Sequence, residues 1–227
     1  MRKVFLAELF GTAALVFAGT GAIVINDVSG GAITHAGIAV TFGLVVMAMI
    51  YTFGDVSGAH LNPAVTVAFW AAGRMEGARV APYIAAQVTG ALLASGLLRV
   101  LFPTHATLGA TLPAGSWHQS FILETALTFL LMLVILSVST GAKEKGISAG
   151  IAVGAVILVE AMFAGPICGA SMNPARSLAP ALVSGHFGSL WIYLAAPLLG
   201  ALLAIPACIS VREPGCCGRA CASNPSS

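Results

Sequence analysis

Long apolar runs separated by short polar connections dominate the chain. The runs cover Val4–Ile25, Ala36–Phe53, Pro82–Leu101, Phe121–Thr140, Ile147–Ala164 and Ser189–Val211. Each is near the ~20 residues an α-helix needs to cross a ~30 Å hydrocarbon layer, so six spanning helices and an all-α membrane protein are predicted. Two shorter apolar stretches remain, Asn62–Ala72 and Asn173–Val183, of 11 residues each. As helix, each measures roughly 16 Å, about half the layer. Asn suits the N-cap and Pro the first helical position, where its missing N–H is no loss. The Asn-Pro pairs therefore read as starts of half-helices at mid-membrane. The Gly-rich stretch before each pair is tolerable at that depth only where it lines a water-filled cavity.

The chain reads as one unit written twice. Ala36–Val40 (AGIAV) recurs as Ala149–Val153, and Ser57–Ala64 (SGAHLNPA) is echoed by Cys168–Ala175 (CGASMNPA). Tyr83–Ala94 (YIAAQVTGALLA) matches Tyr193–Ala204 (YLAAPLLGALLA), and Glu8 and Glu124 stand early in the first and fourth spans. The four echoes keep their order at offsets of 110 to 116 residues. Each repeat holds three spans, so the second copy crosses the membrane in the opposite sense and the two Asn-Pro segments meet near the midplane. The repeats are expected over about 1–116 and 117–211, together forming one channel domain over 1–211, with a Cys-containing, disordered cytoplasmic tail at 212–227.

Composition narrows the class. Only 8% of the 227 residues are charged and mean hydropathy is +0.97, against roughly a quarter charged in soluble domains. A net charge of +2 gives no basis for a nucleic-acid partner. Met1, Arg2 and Lys3 before an apolar run imitate a secretory signal, but the run is long enough to be a retained span. Arg2, Lys3, Arg74, Arg79, Lys143, Lys145, Arg212 and Arg219 all fall on one set of alternating connections, whereas residues 26–35 and 102–118 carry no Lys or Arg. That asymmetry puts both termini on the cytoplasmic side of the cell membrane. No spacing of the five cysteines matches a metal site, and no cofactor or catalytic constellation is expected. A coupled transporter of inverted-repeat design would present half-helix C-termini or carboxylates to a cation; here both half-helices present N-termini.

SGAHLNPAV and GASMNPARS resemble the paired signatures of the aquaporin superfamily, and the likeness extends over about residues 4–211. AGPICGASMNPARSLAPA, with GATLPAGS before it, is most similar to the nodulin-like intrinsic proteins, the bacterial ones in particular. The resemblance implies a right-handed bundle of six spans with two re-entrant half-helices, assembled as a homotetramer. It implies a passive, non-enzymatic channel for water, glycerol and uncharged metalloid acids such as arsenous, boric and silicic acid. The alternative is a strict water channel.

The same resemblance distributes the roles. Asn62, Pro63 and Ala64, with Asn173, Pro174 and Ala175, are the paired pore motifs, each Asn offering an amide donor to the solute. The carbonyls of Gly58, Ala59, His60, Gly169, Ala170 and Ser171 form an acceptor ladder. Phe42, Ala161, Ala170 and Arg176 form the selectivity filter, which carries Ala161 where water-only members have His. Glu8 and Glu124 support the loops. Exclusion of protons by half-helix dipoles and an Arg is the general explanation for pores of this kind. An Arg at membrane depth costs about 3 kcal/mol on insertion scales, so Arg176 needs a reason to be there. Glu160 is expected to be buried and hydrogen-bonded in the bundle, since its neighbour Ala161 faces the pore and successive helical residues diverge by about 100°. His60 is expected to support its loop through its ring, Cys168 to pack, the Gly146/Gly150/Gly154 ladder to allow close helix approach, and the tail cysteines Cys216, Cys217 and Cys221 to be inert.

Overall fold

A computed structural model describes residues 1–139 and 143–211, with no side chains described over 143–147. The tail cysteines, Arg212, Arg219, the side chains of Lys143 and Lys145, and Gly146 lie outside the described residues. Eight helices follow in order among the described residues: α1 (Arg2–Val28), α2 (Thr34–Ser57), α3 (Pro63–Ala71), α4 (Gly77–Leu101), α5 (Trp117–Val138), α6 (Lys143–Cys168), α7 (Pro174–Ser184) and α8 (Leu190–Val211). Six are long and apolar enough to cross a membrane. Most of them, though not α8, begin before or end after their apolar runs because flanking residues continue the helices past the hydrocarbon: α1 extends to Val28 through Asn26 and Asp27. The exceptions are α3 and α7, of 9 and 11 residues.

The contacts repeat between halves. α1 packs on α4 as α5 does on α8, and α3 lies on α8 as α7 does on α4. α2 meets α6, and α3 meets α7, across the axis relating the halves. Without much hydrophobic force between helices in lipid, close approach through small residues carries the packing. A Cβ at Gly43 would sit 2.6 Å from the Gly154 carbonyl oxygen, and one at Gly154 2.7 Å from that of Gly43. Gly90 likewise abuts the Leu9 carbonyl, and Gly200 the Thr125 carbonyl. Gly150 takes the ring of Tyr51. Large apolar side chains such as Phe10, Leu93, Ile122, Leu130, Phe163 and Leu203 face outward, where lipid would receive them.

Candidate functional site: a channel along the axis between the halves

The two half-helices begin as the Asn-Pro pairs dictate. Asn62 Oδ1 accepts from the Ala64 N–H at 2.9 Å, and Asn173 Oδ1 from the Ala175 and Arg176 N–H groups at 3.0 and 3.3 Å. Each Asn also reaches across. Asn62 Nδ2 donates to the Met172 carbonyl at 2.7 Å, and Asn173 Nδ2 to the Leu61 carbonyl at 2.8 Å. One amide hydrogen of each Asn is thus committed to the opposite loop, which leaves one free of that bond on each, as a donor to solute requires. The two helix N-termini, each equivalent to about +0.5 charge, are thereby tied together.

The loops before the Asn residues share an unusual backbone. Gly58, Ala59 and Leu61 have φ of +83°, +46° and +52°, and their counterparts Gly169, Ala170 and Met172 have +85°, +41° and +54°. Left-handed conformations cost non-Gly residues about 1–2 kcal/mol each, so something must hold them. Glu8 Oε1 accepts from the His60 N–H at 2.9 Å and Oε2 from the Leu61 N–H at 2.7 Å. Glu124 takes the Ser171 and Met172 N–H groups, both at 2.8 Å. Across a planar trans peptide the carbonyl points opposite to the N–H, so the oxygens of Ala59, His60, Ala170 and Ser171 turn away from the carboxylates. Among the described residues no carboxylate holds Gly58 and Gly169 in this way. Tyr83 and Tyr193 pin the loop starts, donating to the Ser57 and Cys168 carbonyls at 2.7 Å each. Both glutamates are fully buried.

These elements enclose two cavities. The inner one, of about 110 Å³, is lined by Gly58, Ala59, His60, Asn62, Ser171 and Asn173 against an apolar wall of Leu15, Val46, Ile50, Val65, Leu131, Ile135, Val153 and Ile157. His60 lines it while stacking on Phe69 at 4.6 Å and placing Nδ1 3.1 Å from Thr66 Oγ1. The outer cavity, of about 370 Å³, is lined by Asn26, His35, Thr111, Gly169 and others. Gly169 thus faces the outer cavity and not the inner one. The residues common to both linings are Phe42, Ala161, Ala170 and Arg176.

Arg176 is 2% exposed. Its Nη1 donates to the Gly109 carbonyl at 2.9 Å, its Cζ lies 5.2 Å from the Phe42 ring centre, and its buried Nε has no hydrogen-bond partner among the described residues.

Both the sequence and the fold match known proteins. Residues 1–206 match the family model described as major intrinsic protein. The chain belongs to the major intrinsic protein family. It is 50% identical to Aquaporin NIP1-1 of Zea mays over 87% of this chain and 70% of that one. To Nodulin-26 of Glycine max it is 46% identical over 87% and 73%. A solved aquaglyceroporin from Plasmodium falciparum superposes with a TM-score of 0.81 at 25% identity, over 89% of this chain and 93% of that one. The aquaporin fold and a small-solute channel of this family, which is not an enzyme, follow. The nodulin-like resemblance is found in plant proteins; nothing supports the bacterial qualifier.

Other residues depart from the sequence reading or escape it. Glu160 is buried and lines neither cavity, but neither of its carboxyl oxygens has a hydrogen-bond partner among the described residues, contrary to expectation. Cys168 packs, fully buried. The connection between α4 and α5 enters the site unforeseen: Leu108 is fully buried, Gly109 holds Arg176, and Thr111 Oγ1 donates to Ser177 Oγ at 2.8 Å. A carbonyl acceptor leaves no mark in a sequence, and only the Gly109-Ala110-Thr111 run hinted at it. Gln87 also escaped notice, although it donates to Glu8 Oε2 at 2.8 Å. Its signal was present in the YIAAQVTGALLA echo, where Gln87 stands opposite Pro197 and, with Thr89 opposite Leu199, has no polar counterpart.

Proposed function

We propose that this aquaporin conducts water, glycerol and small uncharged hydroxylated acids, arsenous acid among them, and excludes ions. It works as a homotetramer in the cell membrane with both termini cytoplasmic, as the distribution of Lys and Arg suggests. The observation carrying this reading is the neck shared by the two cavities, lined by Phe42, Ala161, Ala170 and Arg176. Phe42 gives an apolar wall for carbon or a flat face, Arg176 gives donors for oxygen, and two alanines leave width between them. In the inner cavity a solute meets the outward-turned carbonyls on one side and apolar side chains on the other. It exchanges water hydrogen bonds for these, one strip at a time. A cation finds two positive helix ends and a guanidinium and, among the described residues lining the cavities, no carboxylate, because Glu8 and Glu124 are spent on the loops.

The likeness to a solved protein named as an aquaglyceroporin supports the permissive reading over strict water transport. The test is proteoliposome stopped-flow scattering with glycerol, together with arsenite uptake. Both solutes are expected to cross the wild type, and Ala161→His to cut both more than it cuts water. Rapid water flux with neither solute crossing would establish a strict water channel. Solute flux untouched by Ala161→His would remove Ala161 from the filter.

A further inference from the structure

The two Asn-Pro loops are held by equivalent carboxylates but by different hydroxyl partners. In the first half, Thr66 Oγ1 donates to the Asn62 carbonyl at 3.0 Å and accepts from Gln87 Nε2 at 2.9 Å. The donor there comes from α4. In the second half Ser177 stands where Thr66 does, but the α8 residue matching Gln87 is Pro197, whose ring offers no donor. The missing donor arrives from another element. Thr111 Oγ1, on the connection between α4 and α5, donates to Ser177 Oγ at 2.8 Å. Ser177 Oγ contacts Ser171 Oγ, and Ser171 Oγ donates to the Asn173 carbonyl at 3.0 Å while accepting the Asn173 N–H at 3.3 Å. Since the Ser171 proton goes to Asn173, Ser177 must donate to Ser171. The three hydroxyls then run one way, from Thr111 to the Asn173 peptide.

All three side chains are buried. Thr111 also packs on the loop from the other side: a Cβ at Gly169 would lie 3.1 Å from Thr111 Cγ2. Two residues earlier the same connection holds Arg176 through the Gly109 carbonyl. One short segment therefore sets both the guanidinium and the loop bearing Asn173.

We propose that Thr111 is a positioning residue for solute selection, acting through the Ser177–Ser171 hydroxyl string on the loop that presents Ala170, Asn173 and Arg176. The proposal rests on the channel reading above. A three-carbon polyol must match donors and acceptors over several ångströms at once, whereas water adapts to a displaced group. Loss of the string is therefore felt first by glycerol.

The hydroxyl and the methyl group of Thr111 can be separated. Thr111→Val keeps the packing on Gly169 and removes the donor; Thr111→Ser keeps the donor and removes the methyl. In proteoliposomes normalised for inserted protein, Thr111→Val is expected to lower the glycerol-to-water permeability ratio roughly three- to ten-fold, the factor one neutral hydrogen bond is worth. Thr111→Ser is expected to stay near the wild type. Ser177→Ala should lower the ratio as well, and the double variant Thr111→Val/Ser177→Ala should be no worse than Ser177→Ala, since residues in one network are not additive. A wild-type ratio retained by Thr111→Val, equal losses in the Val and Ser variants, or additive losses in the double variant would each overturn the role. Absence of glycerol flux in the wild type would refute the permissive channel instead, an outcome that the wild-type measurement alone decides.

Discussion

The Arg176 guanidinium donates to the Gly109 carbonyl at 2.9 Å, so the cation of the pore neck is fastened by backbone from a connection outside both repeated cores. A hydrogen bond to a charged group contributes about 1.5–3 kcal/mol, comparable with the ~3 kcal/mol cost of an Arg at membrane depth. Gly109 can serve because it has φ +73° and because a Cβ there would come 2.9 Å from that of Thr20.

Gly109→Ala should therefore move the carbonyl away from Arg176. The expected outcome is a potassium leak above that of wild-type proteoliposomes, smaller than the leak through Arg176→Val. Potassium-sensitive dye measurements on the three proteins check the order. A leak in Arg176→Val with none in Gly109→Ala would show that the guanidinium keeps its place without that bond.

The two buried glutamates should differ in weight. Glu8 receives four hydrogen bonds, from Ser57 Oγ, the His60 and Leu61 N–H groups and Gln87 Nε2. Glu124 receives the two N–H groups of Ser171 and Met172 and the weaker thiol of Cys168. Stranding a buried donor costs about 1–3 kcal/mol. Glu8→Ala is expected to lower the thermal midpoint in detergent further than Glu124→Ala, with Glu8→Gln between wild type and Glu8→Ala. Equal midpoints for the two Ala variants would count against the bond inventory.

Close helix approach makes a sharp contrast among glycines. At Gly43 an added methyl would press on the Gly154 carbonyl and on Leu158 Cβ at 2.6 and 2.7 Å, whereas Gly96 has nothing within 4 Å. Overpacking costs about 1–3 kcal/mol, while Gly to Ala in an open helix gains about 0.8–1 kcal/mol. Gly43→Ala should thus destabilise and Gly96→Ala should not, as read from thermal unfolding of the two proteins.

The fold was legible because lipid leaves few options. Uncovered apolar length dictates the spans, and the Asn-Pro pairs mark the half-helix starts, found at Pro63 and Pro174. What escaped were interactions whose chemistry is in the backbone or whose partner is remote in sequence. Asn62 spends an amide hydrogen on the carbonyl of Met172, and a carbonyl has no residue signature. Gly109 and Thr111 lie in a connection with no counterpart in the repeat, so comparing the halves could not reveal them. Glu160 shows the reverse limit: helical geometry turned it from the pore, but no pattern supplied it with a partner.

A neck shared by two cavities should pass uncharged solute and reject charge. The most direct test loads proteoliposomes with a pH-sensitive dye and imposes glycerol and proton gradients on the same preparation. Glycerol is expected to equilibrate much faster than in empty liposomes, with the pH gradient decaying no faster than in them. A pH gradient that collapses through the protein as fast as glycerol enters would contradict that selectivity.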